Sequence, residues 1–181
     1  MADGSVVDTN VLIVASAADE GSPFRPDATP VQEAALRKEV LDWLQEFEED
    51  GGRWVVLDWD WHICGEYQNK LNLEQDYGWL AIMSKKDRNQ VIWVGIEVDA
   101  DGHATLPARL GRAVSDLADR KMVAAVLTAK AEGHECQLVN ACDTDWLDCT
   151  RALHDAGVHV HQLLEDWLKL KHWRMTQAND E

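Results

Sequence analysis

The chain has 181 residues, 46% of them apolar and 28% charged, which is enough for one domain with its own core and short for two. It carries 33 acidic and 17 basic side chains, a formal net charge of −16. Such an acidic excess excludes indiscriminate binding to nucleic acid, heparin or anionic lipid, because polyanions are repelled at long range. Nine tryptophans and an ordinary apolar fraction exclude a disordered chain.

The early apolar stretch, residues 6–17, is the one place where a targeting segment could be suspected. It is interrupted by Asp8 and Asn10, and no basic segment precedes it. We therefore interpret this stretch as a buried strand that continues into a helix, and we expect neither a secretory signal nor a membrane segment.

The cysteines indicate the compartment. They are Cys64, Cys136, Cys142 and Cys149, and they form no CxxC pair. This usage, without a secretory signal, is typical of free thiols in the reducing cytoplasm, where we place the protein. The alternative is a zinc site formed by His134, Cys136 and Cys142, although their spacing matches no common zinc motif.

Short apolar runs alternate with helical patterns along the chain, which predicts an α/β fold with a parallel sheet wrapped by helices. The first strand is expected at residues 5–7. After a loop with three prolines, Thr29 is expected to cap a long helix in which Pro30 is the first residue, ending at Gly51. The apolar face of that helix comprises Leu36, Val40, Trp43, Leu44 and Phe47.

The second strand is expected at residues 54–57, followed by a helix that carries Glu66 and runs to about Gly78. The later elements, in order, are a strand at 91–98, a turn at 99–102, a helix from 115 through 127, a strand at 137–139, a helix at 146–156, a strand at 158–161 and an amphipathic helix at 163–173.

Acidic residues gather where these strands end. Asp8 follows the first strand, Asp143 and Asp145 follow the fourth, and Glu66 and Asp119 lie on helices that connect strands. In open α/β sheets, ligands bind at the carboxyl edge of the strands. Clustered carboxylates repel one another unless a cation holds them, and Mg²⁺ and Mn²⁺ prefer such oxygen ligands. The pattern predicts a metal site suited to phosphodiester hydrolysis.

Several of these acids have structural alternatives. Asp8 is the hardest to explain without a ligand, because an unpaired buried carboxylate is costly. Asp116 competes with Asp119, and Asp145 with Asp143, since one member of each pair could simply cap a helix or complement its dipole.

Four segments resemble a known family. They are residues 6–12 (VVDTNVL), residues 54–57 (WVVL) followed by Glu66, residues 119–125 (DRKMVAA) and residues 140–146 (NACDTDW). In this order and strand context they resemble the acidic motifs of the PIN-domain family of metal-dependent nucleases, over nearly the whole chain.

The resemblance implies one domain, residues 1–181, folded as a three-layer αβα sandwich with a parallel sheet of about five strands. The site residues that it implies are a catalytic, metal-binding quartet (Asp8, Glu66, Asp119 and Asp143), a further metal ligand (Asp145) and two supporting residues (Asn10, which would orient Asp8, and Asp116). It also implies one or two Mg²⁺ or Mn²⁺ ions and endonucleolytic hydrolysis of RNA by water, leaving 5′-phosphate and 3′-hydroxyl ends.

The sequence is also consistent with two other functions. Residues 55–60, VVLDWD, have the strand-then-DxD form of haloacid-dehalogenase-like phosphatases, in which Asp58 would be the nucleophile and Asp60 the general acid. His62 departs from the Thr or Val that this family has two places after the second Asp, and the motif leaves Asp8 unexplained. The other alternative is a catalytically silent PIN-like module that binds a protein partner through its acidic helix, residues 29–50.

The charge is unevenly distributed. Residues 1–66 carry a net charge of −11 and residues 113–181 a net charge of −5, whereas residues 67–112 are neutral. The neutral stretch is therefore the predicted RNA-binding surface, and its basic residues are Lys70, Lys85, Lys86, Arg88, Arg109 and Arg112. The predicted partners are substrate RNA and a basic protein such as an antitoxin, with a second copy of the chain as another option. Toxin, antiphage and RNA-processing roles all fit this pattern.

Overall fold

The computed structural model describes residues 3–23 and 25–179. Its centre is one parallel five-stranded sheet in the order β3-β2-β1-β4-β5. The strands are β1 (Asp3–Val7), β2 (Arg53–Asp58), β3 (Val91–Val94), β4 (Glu135–Asn140) and β5 (Val160–Gln162). With its surrounding helices the sheet forms the predicted α/β fold, a three-layer αβα sandwich.

Nine α-helices and one 3-10 helix, Pro26–Ala28, surround the sheet within the described residues. They are α1 (Thr9–Ala18), α2 (Ala34–Glu49), α3 (His62–Lys70), α4 (Tyr77–Asp87), α5 (Ala108–Ala113), α6 (Arg120–Ala131), α7 (Asp145–Asp148), α8 (Thr150–Asp155) and α9 (Glu165–Asn179).

The helices pack in groups against the sheet. Helix α6 lies across β1, β2, β3 and β4, whereas α1, α2 and α4 contact one another. The central strands have no polar face: in β1, Val6 and Val7 are both fully buried, as expected for a parallel sheet covered on both sides. One continuous apolar cluster fills the space between these layers.

Helix α2 begins at Ala34, later than the predicted start after Thr29. The Thr29 hydroxyl accepts the Val31 N–H at 3.3 Å, and the Gln32 side-chain amide donates to the Thr29 carbonyl oxygen at 2.7 Å. These contacts are those expected of a cap, but they close a local turn in which Val31 is buried. The predicted cap at Thr29 is present, but it closes a turn and does not begin helix α2.

The helix expected to run from Glu66 to Gly78 is two helices, α3 and α4. The Asn72 side chain accepts the N–H groups of Glu74 and Gln75, and Asp76 accepts the Asn72 N–H, so a turn separates them. Elsewhere, β3 is shorter than predicted, α5 was not anticipated, and the helix predicted at 146–156 is divided into α7 and α8.

Gly78 lies in the first turn of α4 and allows close approach to α1, rather than ending a helix. A Cβ atom there would lie 2.5 Å from the Leu12 carbonyl oxygen. We expect Gly78→Ala to destabilise the protein by about 1–3 kcal/mol, measured by urea unfolding. Gly65→Ala is the matched control, because its Cβ would meet nothing within 4 Å and alanine favours a helix interior. Equal stability of the two variants would contradict this packing.

Among the described residues, no helix has the length and apolar character needed to cross a lipid bilayer.

Candidate functional site

The candidate site lies where the winding of the sheet reverses. The chain passes outward from β1 through β2 to β3 and then returns to place β4 on the other side of β1. The carboxyl ends of β1 and β4 therefore border the crevice in which open α/β sheets usually bind ligands. Asp8 directly follows β1, and Asp143 lies three residues beyond the end of β4.

Asp8 is held in a fixed position and is only 6% exposed. Its backbone N–H donates to the Val139 carbonyl oxygen at 3.0 Å, which continues the pairing of β1 with β4. Its carboxylate accepts the Trp146 indole N–H at 2.6 Å and the Asn10 backbone N–H at 3.3 Å. Asp8 is also the N-cap of α1, so strand, helix and indole together orient it.

Asp119 and Asp143 bring two more carboxylates to Asp8. One carboxylate oxygen from each of the three residues lies within 4.8 Å of the others, and we call this group the acid cluster. Asp119 occupies the N-cap position of α6, but its side chain caps no backbone N–H there and is only 8% exposed. Asp143 accepts the Asp145 N–H at 2.9 Å.

A second group adjoins the acid cluster. Carboxylate oxygens of Asp116, Asp119 and Asp145 also lie within 4.8 Å of one another, so Asp119 belongs to both groups. Asp116 is exposed and accepts the Ala118 N–H at 2.8 Å, which makes it partly a turn-closing residue. Asp119 is buried and Asp116 is exposed, so burial favours Asp119 as the candidate metal ligand of the two.

Burial and mutual repulsion favour protonation of the acid cluster. Burial, together with the nearby charges of Asp143 and Glu66 and against the lowering effect of the Trp146 hydrogen bond, raises the pKa of Asp8 to about 7. Burial and then the charges of Asp8 and Asp143 raise the pKa of Asp119 to about 8. Burial also raises the pKa of Asp143. Without a cation, this cluster is poorly suited to full ionisation.

The metal-free protein should therefore lose stability as pH rises from about 4 to about 8. Carboxyls whose pKa is higher in the folded state than in the unfolded state hold extra protons on folding, and that stabilising effect disappears as pH passes the folded pKa. Melting temperatures in EDTA should fall across this range, and the slope should be smaller for Asp143→Asn. A melting temperature that is flat or rises with pH, equally in both proteins, would contradict the result.

Glu66, the fourth predicted acid, belongs to neither carboxylate group. Its carboxylate accepts the Lys121 ammonium at 2.7 Å and the Thr9 hydroxyl at 3.1 Å. The side chains of Glu66 and Lys121 are 19% and 17% exposed, so the ion pair is largely shielded from water. Lys121 thus neutralises Glu66 beside the cluster, whereas the sequence pattern predicted a metal ligand.

Asn10 supports the site differently from the prediction. Its side-chain oxygen accepts the N–H groups of Ala141 and Cys142 at 2.9 and 3.2 Å, so it fixes the segment that leads to Asp143. Only its backbone contacts the Asp8 carboxylate. The Asn10 Nδ2 group is buried and has no hydrogen-bond partner among the described residues.

Asp58, the nucleophile in the phosphatase alternative, makes structural contacts at the start of α3. It is 1% exposed, and its carboxylate accepts the N–H groups of His62 and Ile63 at 2.9 and 2.8 Å and contacts the His62 ring at 2.8 Å. These contacts fix the start of α3 and occupy both carboxylate oxygens. Asp60 is exposed on the turn that follows.

The predicted RNA-binding cations do not form one surface. Lys85 is fully buried, and its ammonium donates to the carbonyl oxygens of Asp50 and Arg53 at 2.6 and 2.7 Å. Arg53 begins β2, so Lys85 lies at the amino edge of the sheet, opposite the acid cluster. Arg88 lies at the same end of α4 and pairs with Glu48. Burial and position thus remove Lys85 from the predicted RNA surface.

The remaining cations are dispersed. Lys86 lies at the amino edge beside Lys85, 3.6 Å from Asp87. Lys70 is exposed at the end of α3, and Arg112 is exposed at the end of α5. Arg109 pairs with Asp155 at 2.7 Å.

The cysteines are free, as predicted, and all four are buried. The zinc alternative fails on geometry, because Cys136 lies near the amino end of β4 and Cys142 beyond its carboxyl end, about 20 Å apart along an extended strand. His134, Cys136 and Cys142 form no metal-ligand group within the described residues.

Three contacts of the site were missed from sequence: the Trp146 indole on Asp8, and the Thr9 hydroxyl and Lys121 ammonium on Glu66. Each partner lies within or next to a recognised acidic segment, and that proximity was the available signal. Nothing in the spacing indicates which atoms meet across 55 to 138 residues.

Comparisons with protein-family models, with curated proteins and with solved structures found no match to this chain.

Proposed function

We propose that this protein is a PIN-like endoribonuclease that uses Mg²⁺ or Mn²⁺ held by the acid cluster. The observation that carries the proposal is the convergence of Asp8, Asp119 and Asp143, from three separate segments, to within 4.8 Å at the switch point of a parallel sheet. Their order in the chain and their flanking residues resemble the PIN-domain motifs, which supports nuclease chemistry over other metal-dependent reactions.

The residues present fit such a metal. The cluster offers only carboxylate oxygens, which are the donors that Mg²⁺ and Mn²⁺ prefer, and no thiol or imidazole belongs to it. The raised pKa values of Asp8 and Asp119 indicate negative charge that the protein itself leaves poorly compensated. A divalent cation would supply that compensation, polarise the scissile phosphate and lower the pKa of the attacking water.

The chain's own residues would position the reaction. Trp146 and the backbone of Asn10 hold the Asp8 carboxylate in one orientation. The Asn10 side-chain oxygen fixes the segment that leads to Asp143 by accepting the N–H groups of Ala141 and Cys142. By neutralising Glu66, Lys121 removes a charge that would repel the phosphate backbone near Asp119.

Product ends and cellular role follow only from the resemblance. We infer 5′-phosphate and 3′-hydroxyl products, action in the cytoplasm, and a role as a toxin, an antiphage effector or an RNA-processing enzyme. The strong negative charge favours a basic protein partner and a narrow range of RNA targets.

The test is cleavage of end-labelled RNA by the wild-type protein in Mn²⁺, in Mg²⁺ and in EDTA. We expect cleavage only with a divalent ion, and Asp60→Asn is the control that should cleave at the wild-type rate. A phosphomonoester substrate in the same assay tests the Asp58 phosphatase alternative and should not be hydrolysed. Cleavage in EDTA, or phosphomonoester hydrolysis abolished by Asp60→Asn, would refute the proposal.

A further inference from the structure

Three tryptophans lie together at the carboxyl edge of β2 and β3. Trp59 directly follows β2, Trp61 lies two residues later, and Trp93 is the penultimate residue of β3. The rings of Trp59 and Trp93 are stacked, with centroids 5.0 Å apart and planes 19° apart, and Trp61 is tilted against Trp93 at 6.4 Å. We call these three residues the tryptophan platform.

The platform is open to solvent although its residues are large and apolar. Trp59 is 62% exposed and Trp61 is 39% exposed. Burying such rings in the core would be favourable, and mutual stacking recovers only part of that gain. Exposed aromatic side chains grouped in this way are typical of a binding surface.

Trp61 also has an unfavourable backbone conformation. Its φ of 62° and ψ of 23° lie in the left-handed region, which costs a bulky residue about 1–2 kcal/mol relative to glycine. The residue is the N-cap of α3, a position where its side chain makes no capping hydrogen bond. The backbone conformation therefore favours glycine at this position, and only the contact with Trp93 favours an indole.

A surface groove of about 430 Å³ extends from Trp61 of the platform to Ala118, the residue before Asp119 of the acid cluster. Trp61 lies in its lining together with Glu66, Lys70 and Lys121. The Glu66 carboxylate is already paired with Lys121, and Lys121 is two residues from Asp119. The lining holds two lysines and two acids, Asp60 and Glu66, so the groove is close to neutral in a chain of net charge −16.

We propose that the tryptophan platform stacks unpaired bases of a single-stranded nucleic acid whose backbone follows this groove to the acid cluster. The inference rests on the proposed nuclease function and specifies how its substrate is held. Flat indole faces stack on any base, and the exposed Lys70 ammonium in the same groove matches a phosphate between bases. A duplex would bind less well, because its bases are already stacked on one another.

The experiment measures binding of fluorescent single-stranded oligonucleotides by anisotropy, in Mg²⁺ and in the Asp8→Asn background so that the strand stays intact. Trp59→Ala and Trp61→Gly should each weaken binding by roughly 5- to 100-fold. An abasic strand of equal length keeps the phosphates and lacks the bases, so the same variants should not change its affinity. Parallel measurements with RNA and DNA strands of the same sequence show which nucleic acid binds more tightly.

Trp173→Ala is the matched control for loss of an exposed indole, because Trp173 is 59% exposed on α9 and lines neither the platform nor the groove. It should leave affinity unchanged. In Trp61→Gly, relief of the positive φ offsets part of the packing lost against Trp93, and thermal melts of both variants verify that they are folded before binding is measured.

Unchanged affinity in Trp59→Ala and Trp61→Gly would refute the base-stacking role of the platform. Metal-dependent cleavage by the wild-type protein would then still support the nuclease proposal. Base-dependent binding through the tryptophans without metal-dependent cleavage would support the platform and refute the nuclease. Altered self-association in light scattering, with no change in oligonucleotide affinity, would identify a protein contact and overturn the inference.

Discussion

Asp8→Asn should reduce metal-dependent RNA cleavage by at least about 100-fold, because loss of even an outer-shell partner of a metal site costs 10- to 100-fold. The same substitution should stabilise the metal-free protein at about pH 8, where a buried ionised carboxylate is most costly. Asparagine keeps one oxygen to accept the Trp146 indole N–H, whereas its amide nitrogen cannot accept the Asn10 N–H, so part of the gain is offset. The expected gain is roughly 2 kcal/mol, or about 4 to 8 °C in melting temperature.

Opposite signs for activity and stability distinguish a functional acid from a structural one. Replacing a carboxylate that is needed for folding would lower both the activity and the stability of the protein. Cleavage rates with Mn²⁺ and thermal melts in EDTA, on the same preparations, give the two readouts. Full activity in Asp8→Asn, or a marked loss of its metal-free stability, would show that Asp8 has no metal-binding role.

Lys85→Met should destabilise the protein by about 2–4 kcal/mol without changing cleavage per folded molecule. Lys85 is fully buried and donates to two backbone carbonyl oxygens and to the Gln90 side chain. Methionine fills the space but leaves those acceptors without a donor, and each unsatisfied buried group costs about 1–3 kcal/mol. Burial lowers the pKa of Lys85 to about 8, so part of its favourable bonding is already offset by desolvation.

Lys86→Met is the matched control in urea unfolding, since the neighbouring lysine is partly exposed and its nearest acid lies 3.6 Å away. It should change stability by no more than about 0.5 kcal/mol. If Lys85→Met instead keeps its stability and loses RNA affinity, the lysine belongs to a binding surface after all.

The fold was largely predictable because its signals are local. Buried strands of a parallel sheet appear as short apolar runs, and their alternation with helical patterns indicates the architecture. The boundaries depend on tertiary contacts. Gly78 looks like a helix stop, yet it is required by the close approach of α1, and the Thr29 capping pattern closes a turn rather than a helix.

A site residue could be predicted from sequence where a charged side chain lies in an apolar segment that is expected to be buried. A carboxylate at the end of an apolar run, as at Asp8, has few structural explanations. Glu66 and Lys85 show the limit of this reasoning. Their partners, Lys121 and the carbonyl groups beside β2, come close only in the folded chain, so sequence alone cannot separate a ligand from an ion pair or a surface lysine from a buried one.

The carboxylate groups that meet at Asp119 should bind a divalent cation. Titration of the metal-free protein with Mn²⁺, followed by the loss of the free-ion electron paramagnetic resonance signal, tests it directly. The wild-type protein should bind Mn²⁺ saturably, Asp60→Asn should bind it equally, and Asp119→Asn, which removes the residue shared by both groups, should bind it far more weakly. No saturable binding, or equal binding by Asp119→Asn, would contradict the account.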